Sequence, residues 1–166
     1  MKRVEAYLAI CGGNTATTRE QQLAEEAGAA IARSGALLVC GGLGGVMEAA
    51  ARGAKSAGGI VLGILPGERR SEASGFVDVA IATNMGHARN AILVHTADAL
   101  LAVGGEGGTL SEIALALKLS KPVAVVEGWE SLKALPAPPH FEASPEKAVE
   151  WLLASLSAQT ANKAGR

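Results

Sequence analysis

Short apolar runs of strand length alternate along this chain with longer segments of helical periodicity, and this alternation constrains the fold most. Repeated strand-helix units build a parallel sheet that helices cover on both faces. The predicted strands span Val4 to Cys11, Ala36 to Cys40, Ile60 to Leu65, Val77 to Ala82, Ala99 to Val103 and Val123 to Val126. The predicted helices span Glu20 to Ser34, Val46 to Ala57, Arg89 to Thr96, Leu110 to Leu119, and a last segment from Pro145 to about Leu156. This order predicts a three-layer, doubly wound α/β fold.

The length and charge of the chain limit what it can bind. Its 166 residues suit one domain, which we place at residues 1–156, with a frayed tail at 157–166. Fifteen basic and sixteen acidic residues leave a net charge of −1, so no general attraction to nucleic acid or to an anionic membrane is expected. Cys11 and Cys40 have neither zinc-site spacing nor the number a disulfide scaffold needs. We expect a cytoplasmic protein without a metal site.

Glycine concentrates after three of the predicted strands, at the sheet edge where α/β proteins bind ligands. Glycine is ordinary in such turns, and for one turn that structural interpretation is sufficient. Three together favour a phosphate-bearing ligand, because backbone amides and helix N-termini can then approach it closely. The residues expected to bind phosphate or nucleotide are Gly12, Gly13, Gly41, Gly42, Gly44, Gly45, Gly104, Gly105, Gly107, Gly108 and Thr109.

Familiar nucleotide motifs are missing from these turns. Met47 and Leu110 occupy the final positions of the two candidate Gly-x-Gly-x-x-Gly patterns, so a standard dinucleotide site is not supported. The chain also has no Gly-Lys-Ser/Thr sequence, which excludes the P-loop of nucleoside triphosphatases.

Two charged residues near the glycine edge could take part in chemistry. Glu112 follows Thr109 at the spacing of a capping box, which would give it a purely structural role. It could equally face the ligand and stabilise a developing positive charge. Arg89 begins the preceding predicted helix and suits phosphate recognition. If the two residues meet, Arg89 should lower the pKa of Glu112 and keep it ionised.

The order and spacing of several motifs across residues 4 to 126 resemble the LOG-like family of Rossmann-like proteins. The motifs are Cys11-Gly12-Gly13, the segment from Cys40 to Ala49, Arg89-Asn90-Ala91, and Gly108-Thr109-Leu110-Ser111-Glu112. That family includes cytokinin riboside 5′-monophosphate phosphoribohydrolases, proteins long labelled lysine decarboxylases, and molybdenum cofactor carriers. The resemblance implies a Rossmann-like fold and a homodimer.

The resemblance also implies residue roles. It assigns the catalytic arginine and glutamate of the hydrolases to Arg89 and Glu112, with Gly105, Gly108 and Thr109 around the phosphate. The chain departs from the hydrolase pattern at Gly104, Glu106 and Asn90, where that pattern has Pro, Gly and Lys. A carboxylate in a phosphate loop repels phosphate, and these departures resemble the branch of molybdenum cofactor carriers.

Two functions follow as hypotheses. The first is a hydrolase that needs no cofactor and cleaves a nucleoside 5′-monophosphate to free base and ribose 5-phosphate. The alternative is a non-catalytic carrier or sensor of a phosphorylated ligand such as the pterin-based molybdenum cofactor. Lysine decarboxylation is not supported, because Lys118 and Lys121 lie at the helix end away from the glycine edge. Apolar residues on more than one face of the helix Leu110 to Leu119 favour a homodimer.

Overall fold

The chain forms seven strands and five α-helices, in a computed structural model that describes residue 4 and residues 6–164. The strands are β1 (Tyr7–Gly12), β2 (Leu37–Cys40), β3 (Val61–Leu65), β4 (Val79–Ala82), β5 (Ala99–Val103), β6 (Val123–Glu127) and β7 (His140–Phe141). The helices are α1 (Thr18–Arg33), α2 (Gly45–Ser56), α3 (Arg89–Thr96), α4 (Gly107–Lys118) and α5 (Pro145–Ala164). Short 3-10 turns cover Arg70–Glu72, Gly86–Ala88 and Glu130–Ala134.

All seven strands are parallel and form one sheet in the order β4-β3-β2-β1-β5-β6-β7. The chain builds outward from β1 in one direction and then crosses back to β5, which pairs with β1 on its other side. The strand order therefore reverses between β1 and β5. In doubly wound sheets a ligand crevice opens at such a reversal, outside the carboxyl ends of the strands.

Two hydrophobic clusters flank the sheet and make three layers. Leu8 and Ile10 of β1 belong to the cluster that contains α1, α2 and α5, whereas Ala9 and Cys11 belong to the cluster that contains α3 and α4. This division follows from the period of two along a strand, which sends successive side chains to opposite faces. The predicted single-domain, three-layer Rossmann-like fold is confirmed.

Helices α1 and α2 pack unusually closely because glycine removes a side chain at their contact. A Cβ built on Gly28 would lie 2.8 Å from the carbonyl carbon of Ala50, and one on Gly53 would lie 2.9 Å from the Cα of Glu25. Both distances are shorter than an ordinary carbon-carbon contact. The two glycines therefore set the separation of the helices.

The ends of several elements differ from the sequence prediction. Helix α1 starts at Thr18 because Thr17 and Glu20 form a capping box, in which the Glu20 carboxylate accepts from the Thr17 amide at 2.8 Å. Helix α4 starts at Gly107, three residues before its predicted start. Strand β7 was not predicted.

The two chain ends also differ from the prediction. Strand β1 begins at Tyr7, and residue 5 of its predicted span lies outside the described residues. Helix α5 continues to Ala164, past the predicted end near Leu156, while residues 165 and 166 of the predicted tail lie outside the described part. Within the described part of the chain, no helix is both long and apolar enough to cross a membrane.

Candidate functional site

A cleft of about 370 Å³ opens at the carboxyl ends of the central strands. It lies where β1, β2 and β5 end in their glycine turns, at the reversal of strand order. The residues that line it are Ile10, Cys11, Gly12, Gly13, Asn14, Gly41, Leu43, Met47, Pro66, Gly86, His87, Arg89, Asn90, Glu106, Gly108, Thr109 and Glu112. The sequence rule that placed a ligand at this edge thus coincides with a cavity in the structure.

The predicted phosphate-binding residues divide into two groups. Those that line the cleft are Gly12, Gly13, Gly41, Gly108 and Thr109. The residues that belong to the turns but do not line the cleft are Gly42, Gly44, Gly45, Gly104, Gly105 and Gly107. Gly45 shows why a turn residue must be glycine, since its φ is +61° and an added Cβ would lie 2.5 Å from the carbonyl oxygen of Asn14.

Arg89 is the first residue of α3 and is only 8% exposed, although arginine is rarely buried without a partner. Its Nε is a buried nitrogen that has no hydrogen-bond partner among the described residues. The guanidinium lies against Gly41, where a Cβ would approach its carbon to 3.2 Å. Burial lowers the pKa of Arg89, and the Glu112 carboxylate partly opposes this effect. A buried donor without a partner is costly, so an anion in the cleft would stabilise it.

Glu112 lies on α4, is 7% exposed and lines the same cleft. Of the two alternatives for Glu112, the capping box with Thr109 does not apply, because α4 begins at Gly107 and both residues lie inside the helix. The Cys11 thiol lies beside the Glu112 carboxylate and, like Arg89, acts to lower its pKa. Burial raises the pKa of Glu112, and neither Cys11 nor Arg89 outweighs it. Arg89 lowers this pKa as expected, but desolvation exceeds the attraction of the cation, so the net shift is upward.

The two charged residues share a cleft without forming a salt bridge. Both lie in the described part of the chain, and the ion pairs found there do not include Arg89 or Glu112. A directly paired guanidinium would have its charge satisfied within the protein. The Arg89 charge therefore remains available to a ligand.

The N-terminus of α4 faces the cleft without a side-chain cap. Glu106 occupies the N-cap position, but its side chain makes no capping hydrogen bond. A Cβ on Gly107 would meet nothing within 4 Å, so the space beside the first-turn amides is open. Asn90 approaches the same turn, and its side-chain nitrogen lies 3.4 Å from the Gly108 carbonyl oxygen. Uncapped amides at the positive end of a helix dipole form a site for an anion.

Several lining residues were missed by sequence reasoning. Asn14 and Leu43 directly follow or interrupt glycine turns, so their position after β1 and β2 was a usable signal. Pro66 and His87 reach the cleft from the connections around β4, and His87 is exposed at the cleft surface. Within residue 4 and residues 6–164, no group of three His, Cys, Asp or Glu residues is placed to hold a metal ion.

The fold and the cleft define a Rossmann-like α/β protein with a ligand cleft at the switch point of its sheet. The sequence profile of the SLOG cluster4 family matches residues 5–152, and the chain belongs to that family. The predicted resemblance is confirmed at the level of SLOG and LOG-like proteins together, while the narrower LOG assignment stays a prediction.

Known proteins of similar sequence and structure agree with this placement. An uncharacterized protein of Archaeoglobus fulgidus is 45% identical over 154 residues, which cover 89% of this chain and 95% of that protein. The structure of the molybdenum cofactor binding protein from Rippkaea orientalis matches with a TM-score of 0.85 and 37% identity, covering 94% of this chain and 99% of that one. The molybdenum cofactor carrier protein from Chlamydomonas reinhardtii matches with a TM-score of 0.80 and 37% identity, covering 92% and 99%.

Proposed function

We propose that this protein is a cytoplasmic, non-catalytic carrier or sensor of a small phosphorylated ligand, with the pterin-based molybdenum cofactor as the candidate. One observation carries the proposal: the uncapped N-terminus of α4 and the unpaired Nε of Arg89 belong to the same cleft. Both are donors that an anionic phosphate would satisfy. The roles named for the structural relatives from Rippkaea orientalis and Chlamydomonas reinhardtii support this choice of ligand.

The rest of the cleft suits a flat heterocycle attached to that phosphate. Leu43, Met47 and Pro66 supply an apolar wall on the side of β2 and β3. Asn14 and Asn90 add amide groups that can both donate and accept hydrogen bonds, as the polar edges of a pterin require. Mostly apolar lining with a few convergent polar groups is typical of small-molecule sites.

A second candidate is the phosphoribohydrolase that the sequence resemblance implies. It is favoured by one observation, namely that Arg89 and Glu112 line a single cleft. In that reaction the glycine turns would hold the phosphate, Arg89 would position the substrate, and Glu112 would stabilise the ribosyl cation and guide water. Burial works against this role, because it raises the pKa of Glu112 while the role needs an ionised carboxylate, and the Cys11 thiol and Arg89 only partly offset that effect.

We also propose that the protein is a homodimer. Leu110 of α4 and Leu119, the residue that follows this helix, are 38% and 37% exposed, so apolar surface near both of its ends is left without cover within one chain. A symmetric partner is the commonest cover for such a face. A monomeric mass by light scattering at micromolar concentration would refute the dimer.

One experiment on freshly purified protein separates the two candidate functions. Bound pterin is released, oxidised and measured by fluorescence, molybdenum is measured by elemental analysis, and the protein is also incubated with a panel of nucleoside 5′-monophosphates. We expect copurifying pterin and no free base by chromatography. Arg89→Met should lose the pterin. The control is Arg33→Met, which removes an exposed arginine from the last turn of α1 and should keep the pterin.

The opposite result is equally clear. Free base that is released from one monophosphate, and whose release disappears in Glu112→Ala, would establish the hydrolase and exclude a purely carrying role.

A further inference from the structure

Glu106 is the unusual residue of the third glycine turn, since a carboxylate stands between Gly105 and Gly107. It is the N-cap residue of α4 and is exposed, yet its side chain does not cap the helix. Across residues 6–164 it forms no ion pair, and its side chain accepts no hydrogen bond. A carboxylate with no structural partner at the mouth of an anion site calls for a functional explanation.

We propose that Glu106 is a specificity-determining residue that restricts the cleft to ligands with a single phosphate monoester and rejects diphosphate-linked ligands, dinucleotide forms included. The proposal rests on the proposed function only in requiring a phosphorylated ligand. It concerns how many phosphates the cleft accepts, not which heterocycle accompanies them.

The charges in the lining support this assignment. Among the described residues that line the cleft, Arg89 is the one lysine or arginine, and it shares the lining with His87 and two carboxylates, Glu106 and Glu112. One guanidinium together with the amides of α4 can balance one phosphate. A second phosphate would add negative charge that no further lysine or arginine of the lining could offset.

The positions of the two carboxylates support it further. Glu106 lies at the exposed start of α4, whereas Glu112 is buried more than one turn farther along the same helix. A phosphate held by the first-turn amides would therefore share the cleft with one exposed and one buried carboxylate. A second phosphate on the solvent side would approach Glu106, and like charges at such short range repel each other.

The size of the cleft is consistent with a ligand of this kind. Its volume of about 370 Å³ lies near the lower end of the range for small-molecule sites. A monophosphate ester of one heterocycle suits this space better than a ligand that carries a second nucleoside through a diphosphate.

The test uses inorganic phosphate and pyrophosphate as probes of the whole protein. Their dissociation constants are measured by thermal shift and calorimetry for the native protein, Glu106→Gln and Glu150→Gln. The last variant removes the same charge from an exposed position on α5, away from the cleft. We expect Glu106→Gln to raise the affinity for pyrophosphate relative to that for phosphate by about fivefold for each additional negative charge of pyrophosphate. This increase in relative affinity should be smaller at high salt. Glu150→Gln should leave the ratio unchanged.

Three results would overturn the proposal. They are an unchanged ratio in Glu106→Gln, an equal change in Glu150→Gln, and no binding of either anion to any of the three proteins. Failure of the cofactor proposal would look different. The purified protein would then contain no pterin, while Glu106→Gln would still change the ratio of the pyrophosphate and phosphate dissociation constants.

Discussion

Replacing Gly41 by alanine should disable the cleft through Arg89 while leaving the fold intact. A Cβ at this position would lie 2.5 Å from Met47 Sδ and 3.2 Å from the guanidinium carbon of Arg89, closer than the 3.4–4 Å of ordinary contact. Both groups end flexible side chains, so they can retreat by about 1 Å without moving the backbone. The guanidinium then leaves the place where it would meet a phosphate.

The expected size of the effect follows from the bonds at risk. Hydrogen bonds to a charged group contribute about 1.5–3 kcal/mol, so Gly41→Ala should weaken the binding of a phosphorylated pterin roughly 10- to 100-fold. The melting temperature should fall by only a few degrees. The control is Gly75→Ala, because an added Cβ there meets nothing within 4 Å.

Calorimetric titration of four proteins tests the reasoning: the native chain, Gly41→Ala, Arg89→Met and the double variant. If Gly41 acts by leaving room for the guanidinium, the double variant should bind no more weakly than Arg89→Met alone. Unchanged affinity in Gly41→Ala would refute the argument. So would a loss that simply adds to that of Arg89→Met.

Two further predictions concern stability. Because the pKa of Glu112 is raised in the folded protein, its stabilising contribution is complete below the unfolded-state pKa near 4.5 and is lost as the pH rises through the folded-state pKa. In denaturant unfolding, the free energy of unfolding of Glu112→Gln should therefore increase relative to that of the native protein as the pH rises from acidic to alkaline. A difference between the two proteins that does not depend on pH would contradict this. Gly28→Ala places a Cβ 2.8 Å from the Ala50 carbonyl carbon and should cost at least about 1 kcal/mol, or 2–4 °C in melting temperature. A rise in melting temperature, as helix propensity alone predicts, would count against that packing.

The fold could be predicted from the sequence because the apolar runs and the glycine turns indicate the same series of strands and helices. Six of the seven strands were predicted within three residues of their ends, since continuous apolar runs between glycine turns have few other interpretations. Strand β7 is only His140–Phe141 and follows a proline-rich segment, so it has no period to detect. Helix α4 begins at Gly107, where two glycines oppose the helix by about 1 kcal/mol each.

The candidate site was predictable in position but not in electrostatics. Because ligands of doubly wound sheets bind outside the carboxyl ends of the strands, Arg89 and Glu112 were expected near one edge of the sheet. The structure places both residues in one cleft. Their mutual effect could not be read from spacing, because it depends on burial. A charged pair at the surface would lower the pKa of the carboxyl, whereas at 7% exposure desolvation reverses the direction.

The geometry of the cleft bears on the choice between carrying and catalysis. An enzyme must bind the transition state more tightly than the ground state, whereas a carrier needs only ground-state affinity. The amides of α4 and the guanidinium of Arg89 would act on a phosphate, which keeps its charge whether or not a distant glycosidic bond breaks. Such contacts supply affinity but little acceleration. The group that could respond to a breaking bond is Glu112, whose pKa is raised by burial although the Cys11 thiol and Arg89 act to lower it. The carrier proposal therefore needs only the phosphate contacts, whereas the hydrolase would also need Glu112 to ionise against this desolvation.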